Sequence, residues 1–129
     1  MVGPDGLFAN IVLPNWLLHE FSHSFHDNLA NDQRVRIRNV YEAAMDRHLY
    51  DVVEARVPQA DGKYEIRKVP ALAGRNELEY FAELSVCFLA ENWAFPHTRD
   101  ELRKHDPLGF ALMEDVWGSK KGKEGSQGR

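Results

Sequence analysis

Leu17-Leu18-His19-Glu20-Phe21-Ser22-His23 is the stretch on which the reading of this chain turns. As a helix it sets His19 and His23, four apart, on one face, so both imidazoles can aim a nitrogen at a single metal ion while Glu20 stands beside them. Neutral imidazole nitrogens suit Zn2+, and a carboxylate outside the ligand set is what a general base requires. The pattern also arises by chance, so its flanks have to decide. Upstream, Ile11-Val12-Leu13-Pro14-Asn15-Trp16 supplies apolar residues and a proline where a helix tolerates one; Pro14 or Asn15 is expected to open the helix. Phe21, Phe25 and Leu29 are expected to form its buried flank.

A catalytic zinc takes a third protein ligand and keeps a fourth position for water. The candidate is Glu79, in Asn76-Glu77-Leu78-Glu79-Tyr80-Phe81-Ala82-Glu83-Leu84-Ser85-Val86-Cys87-Phe88-Leu89. Its apolar positions recur at helical spacing, which puts Glu79 and Glu83 on one face. One of the two can ligate while the other accepts the second ring N–H of a histidine and so sets its tautomer. Asn76 and Glu79 also fit a capping box, a role that needs no metal and competes for the same carboxylate.

Taken together, HEFSH at 19–23 and NELEYFAE at 76–83 resemble the gluzincin peptidases of the anthrax lethal factor catalytic-domain family, whose helix pair reads HEFxH and NExEFFAE. The likeness runs over roughly residues 16–117, and its two motifs are the specific part. It implies zinc ligands His19, His23 and Glu79, with Glu20 as catalytic base and Glu83 as the acid supporting a ligand. The fold it implies is mainly α (α+β), a zincin-like helical domain, and the activity is zinc-dependent hydrolysis of a peptide or protein substrate. It carries over no particular substrate.

Two stretches depart from the family. A tyrosine that helps stabilise the oxyanion stands shortly before the family's glutamate ligand, whereas Pro70-Ala71-Leu72-Ala73-Gly74-Arg75 has none. Losing one oxyanion donor costs ~10²–10³ in turnover, so Tyr64, Arg75 or His48 is expected to substitute, or catalysis is slow. The family also builds a sheet ahead of the motif, and here only eighteen residues precede it. Strands are expected downstream instead: Tyr50–Val57 and Lys63–Val69 partly alternate around Asp61-Gly62, the pattern of a hairpin.

The chain has 129 residues, 43% of them hydrophobic, which suits one core and one domain over 1–117. Residues 118–129 hold four basic residues against one acid and no apolar anchor, and read as a disordered basic tail. The remainder carries twelve basic against nineteen acidic residues, a net −7 that argues against a nucleic-acid partner. No run approaches a membrane span, and Leu7–Leu13 lacks the basic start and cleavage site of a secretion signal; a soluble protein of undetermined compartment is expected. Cys87 reads as a small buried residue.

A second helix is expected from Asn31-Asp32 to about Leu49, with Val35, Val40, Tyr41, Ala44, Met45 and Leu49 inward and its arginines mostly outward. Thr98 and Asp106-Pro107 read as caps of two short helices. His26, His48, His97 and His105 are expected on the surface or at caps rather than as ligands. Two further readings stand beside the peptidase: a catalytically inactive zinc-binding zincin remnant acting as an interaction module, and a helical domain without metal. Retention of Glu20 favours the enzyme; the missing tyrosine favours the remnant.

Overall fold

Proline fixes φ near −65° and needs no N–H partner, so Pro14, at φ −61°, starts the first helix at no hydrogen-bonding cost, and its carbonyl accepts from Leu17 and Leu18. The computed structural model describes residues 14–118. The apolar run at 11–13, the Leu7–Leu13 stretch and tail residues 119–129 lie outside them. The described residues are mainly helical with one small antiparallel hairpin: α1 (Asn15–Asp27), α2 (Asn31–Asp46), β1 (Val53–Pro58), β2 (Tyr64–Val69), a 3-10 turn (Leu72–Gly74), α3 (Glu77–Leu89), α4 (Arg99–His105) and α5 (Pro107–Trp117).

The central element is α3. From Tyr80 to Phe88 its side chains are buried in unbroken succession apart from Glu83, so the helix touches neighbours on nearly every side. Asn76 caps it by accepting from the Glu79 backbone N–H at 2.8 Å. Against α3 lies α1, which buries Leu18, Ser22 and His26. This corrects the expected flank: Phe21 is 49% exposed, while Phe25 and Leu29 only border the core. The physical reason is that α1 is apolar over much of its circumference, and contact with α3 selects the stripe bearing the small Ser22. The phenylalanines turn to α5 instead, where Phe25 stacks on Trp117 with ring centroids 4.4 Å apart.

Helix α2 stops at Asp46, short of the expected Leu49, because His48 takes a left-handed φ of 58°. It buries Ile37 and Ala44, leaves Val35 exposed, and sends Arg36 to Asp115 and Arg38 to Glu77. The hairpin pairs Val53 with Val69 through to Pro58 with Tyr64, and Gly62 provides the positive φ of its turn. On the other side of β1 runs the segment after α3: Arg56 N–H donates to the Trp93 carbonyl (2.9 Å), and Phe95 N–H donates to that of Glu54 (2.8 Å).

Thr98 and Asp106 cap α4 and α5 as expected, accepting from the N–H groups of Glu101 and Gly109. Asp106 is also buried, and its carboxylate accepts from the hydroxyls of Tyr50 (2.9 Å) and Tyr80 (2.6 Å). Only glycine fits at 109: a Cβ there would stand 2.5 Å from Asp106 Oδ2 and 2.7 Å from the Tyr80 hydroxyl. Cys87 is buried, its thiol donating to the Thr98 carbonyl, and burial pushes its pKa up to about 12. Among the described residues no helix is long and apolar enough to cross a membrane.

Candidate metal centre

The α1–α3 seam brings His19, His23, Glu79 and Glu83 together. His19 faces both carboxylates, with Nε2 2.9 Å from Glu79 Oε1 and Nδ1 3.0 Å from Glu83 Oε2. His23 Nε2 lies 3.1 Å from His19 Nε2 and 3.2 Å from Glu79 Oε1. The two rings meet edge to face, at 82°. All four side chains are mostly covered yet reachable, between 14% and 26% exposed. Competition between capping and ligation for Glu79 does not arise, since Asn76 takes the Glu79 backbone N–H and leaves the carboxylate free for the histidines.

The tautomer of His19 follows from its partners. Glu83 can only accept, so Nδ1 carries hydrogen and donates to it, which leaves Nε2 pointing at Glu79 and His23. The hydrogen bond to Glu83 raises the His19 pKa above the usual imidazole range; burial opposes this, and Glu79 adds to it. Nε2 of His19, Nε2 of His23 and Oε1 of Glu79 form a triangle with sides of 2.9, 3.1 and 3.2 Å. Each of the three can offer a lone pair to a metal ion when both nitrogens are unprotonated. Tetrahedral zinc at ~2.0–2.2 Å from nitrogen and oxygen ligands sets them ~3.3–3.5 Å apart, so the triangle fits within a few tenths of an ångström. Within the described residues, His19, His23 and Glu79 are the group of His, Cys, Asp and Glu with donor atoms close enough to share an ion.

Glu20 follows His19 on α1 and is exposed, turned from the triangle by about 100° of helix. The expected substitutes for the oxyanion donor stand elsewhere. His48 pairs with Asp51, Arg75 borders a groove with Asp51 and Pro70, and Tyr64 packs edge-on against Trp93. None of the three bonds to the triangle.

Two other histidines correct the expectation of surface or capping roles. His26 is 2% exposed against the Phe81 ring, its Nδ1 has no partner among the described residues, and burial lowers its pKa. His97 is buried too, its Nδ1–H donating to the Asn92 carbonyl. Asn92 itself escaped the sequence reading: its amide donates to Glu83 Oε1 at 3.1 Å, and nothing in spacing or periodicity marks a loop residue for such a part. No known protein family, curated protein or solved structure matches this chain.

Proposed function

We propose that this chain is a zinc-dependent metallopeptidase of the gluzincin type on a zincin-like helical fold, with His19, His23 and Glu79 as ligands. The observation that carries the reading is the triangle of two imidazole nitrogens and one carboxylate oxygen, assembled from two helices and close enough to share one ion. A bound zinc would supply Lewis acidity, polarising a peptide carbonyl and acidifying water. Glu83 holds Nδ1–H of His19 and thereby keeps its Nε2 turned to the centre. Glu20, open to solvent beside His19, takes the proton of the attacking water and returns it to the leaving amine. Burial of Leu18 and Ser22 against α3 fixes the pitch at which the two histidines project.

One observation favours a second reading, the zinc-binding but inactive interaction module: Tyr64, Arg75 and His48 all lie away from the triangle, which leaves no side-chain donor for an oxyanion among those three. Glu20→Gln separates the two. The variant is expected to retain zinc and to lose peptide-library cleavage by ~10²–10⁴, the usual worth of general acid–base assistance. Cleavage equal to wild type removes Glu20 from the mechanism. Absence of cleavage by fully zinc-loaded wild type establishes the inactive module, and zinc-free protein from chelator-free preparations overturns both readings.

A further inference from the structure

Asn92 lies three residues past the end of α3, in a segment held from three directions. Asn15 of α1 donates to the Glu91 carbonyl at 2.8 Å. The β1 strand bonds the backbone on either side of Ala94, through Trp93 and Phe95. Asn92 N–H donates to the His97 carbonyl while His97 Nδ1–H returns to that of Asn92, both at 2.9 Å. The Asn92 side chain is directed as firmly, since Oδ1 accepts the Trp93 N–H at 2.7 Å, which leaves Nδ2 facing Glu83. There it donates to the carboxylate Oε1 (3.1 Å) and to the backbone carbonyl (3.2 Å).

Glu83 uses its other oxygen, Oε2, for Nδ1–H of His19. A carboxylate on a flexible stem has several rotamers, and one hydrogen bond from a histidine that itself needs orienting does not select among them. The amide of Asn92 does so from the opposite side. A carboxylate here would set two negative groups about 3 Å apart, and a shorter side chain would release Glu83, so the chemistry of an amide is specific to the position.

We propose that Asn92 is a positioning residue of the metal centre, acting through Glu83 to fix the orientation and tautomer of His19. This rests on the zinc reading of the site, and the hairpin gains a purpose from it as the brace of the segment that carries Asn92.

The test is metal affinity, with the visible spectrum of the cobalt-substituted protein as a second readout that a purely structural role would not move. Asn92→Asp and Asn92→Ser are expected to weaken zinc by ~10–100-fold in chelator competition and to alter the cobalt d–d bands, the usual consequence of losing a ligand's support. In a Glu83→Ala background Asn92→Ser is expected to change zinc affinity no further, since nothing remains for it to position. Wild-type affinity and spectrum in a folded Asn92 variant overturn the proposal while leaving the zinc reading intact; an equal loss in the Glu83→Ala background also overturns it. Wild type that binds neither metal overturns the zinc reading itself. If Asn92→Asp does not fold, Asn92→Ser carries the comparison, and failure of both to fold while Glu83→Ala folds shows a structural role and overturns the proposal.

Discussion

Helix α3 carries a polar cluster on each of two adjoining faces, and the two are built in opposite ways. On one face Tyr80 meets Tyr50 and Asp106; two hydroxyls and the Gly109 N–H all donate to one carboxylate, and Asp106 is 2% exposed. On the other, Glu79 and Glu83 meet two histidines, the groups remain partly open, and two imidazole nitrogens and a carboxylate oxygen crowd one another. Donors and acceptors balance in the first, as a buried polar group requires for stability. The second gathers three atoms that can each ligate a metal ion. A stabilising cluster closes on itself; a site leaves a valence to fill.

Substitutions at the open cluster should act on metal, and those at the closed one on folding. The largest effect is expected for Glu79→Ala. Zinc at about a thousand times its Kd adds ~4 kcal/mol to unfolding of the wild type, and the variant is expected to lose nearly all of that increment in melts with and without EDTA. If the Glu79→Ala variant holds zinc at wild-type strength, Glu79 is not a ligand and belongs only to the start of its helix. Asp106→Ala follows, at about 3 kcal/mol of stability in denaturant titrations, because it strands two buried hydroxyls and an N–H. Its folded fraction is expected to bind zinc normally, and a loss of affinity there would dissolve the distinction between the clusters.

Glu83→Ala is intermediate, with zinc ~10–100-fold weaker and little change in the apo melting point. The smallest effect belongs to His26, whose pKa is lowered by burial. The folded state resists protonating it, so stability is full above the unfolded value near 6.5 and falls as pH drops below that, levelling under the folded pKa. His26→Phe is expected to flatten this acid slope in EDTA by about 1 kcal/mol or less and to remove a buried Nδ1 that has no partner among the described residues. An unchanged slope would move the acid sensitivity to other groups.

Much of this architecture could be read from the chain. The start of α1 at Pro14, the span of α3, the caps Asn76, Thr98 and Asp106 and the Gly62 turn each have a local cause, and local causes are written in neighbouring residues. Helical repeats made the pairing of residue 19 with 23 and of 79 with 83 legible; that the two pairs would meet rested on the HExxH motif, its need for a third ligand and the family resemblance. Which flank of α1 is buried was not, since Trp16, Leu17, Leu18, Phe21 and Phe25 surround the helix and only α3 chooses among them. The meeting of Tyr50 with Asp106 and of Asn92 with Glu83 joins loops to helices at no characteristic spacing. Such contacts belong to the tertiary fold alone.

The closed cluster also gives the protein an optical gauge of its own unfolding. The chain has four tyrosines; burial and the neighbouring Asp106 carboxylate raise the pKa of Tyr50 and Tyr80 far above the phenolic range. In an alkaline titration these two phenols remain protonated while the fold stands, and their phenolate absorbance emerges only when it opens. Above pH ~10 the unfolded chain releases protons that the native one keeps, so each tyrosine lowers stability by ~1.4 kcal/mol per pH unit. The ultraviolet signal should therefore rise in two stages, the second coincident with loss of helical circular dichroism.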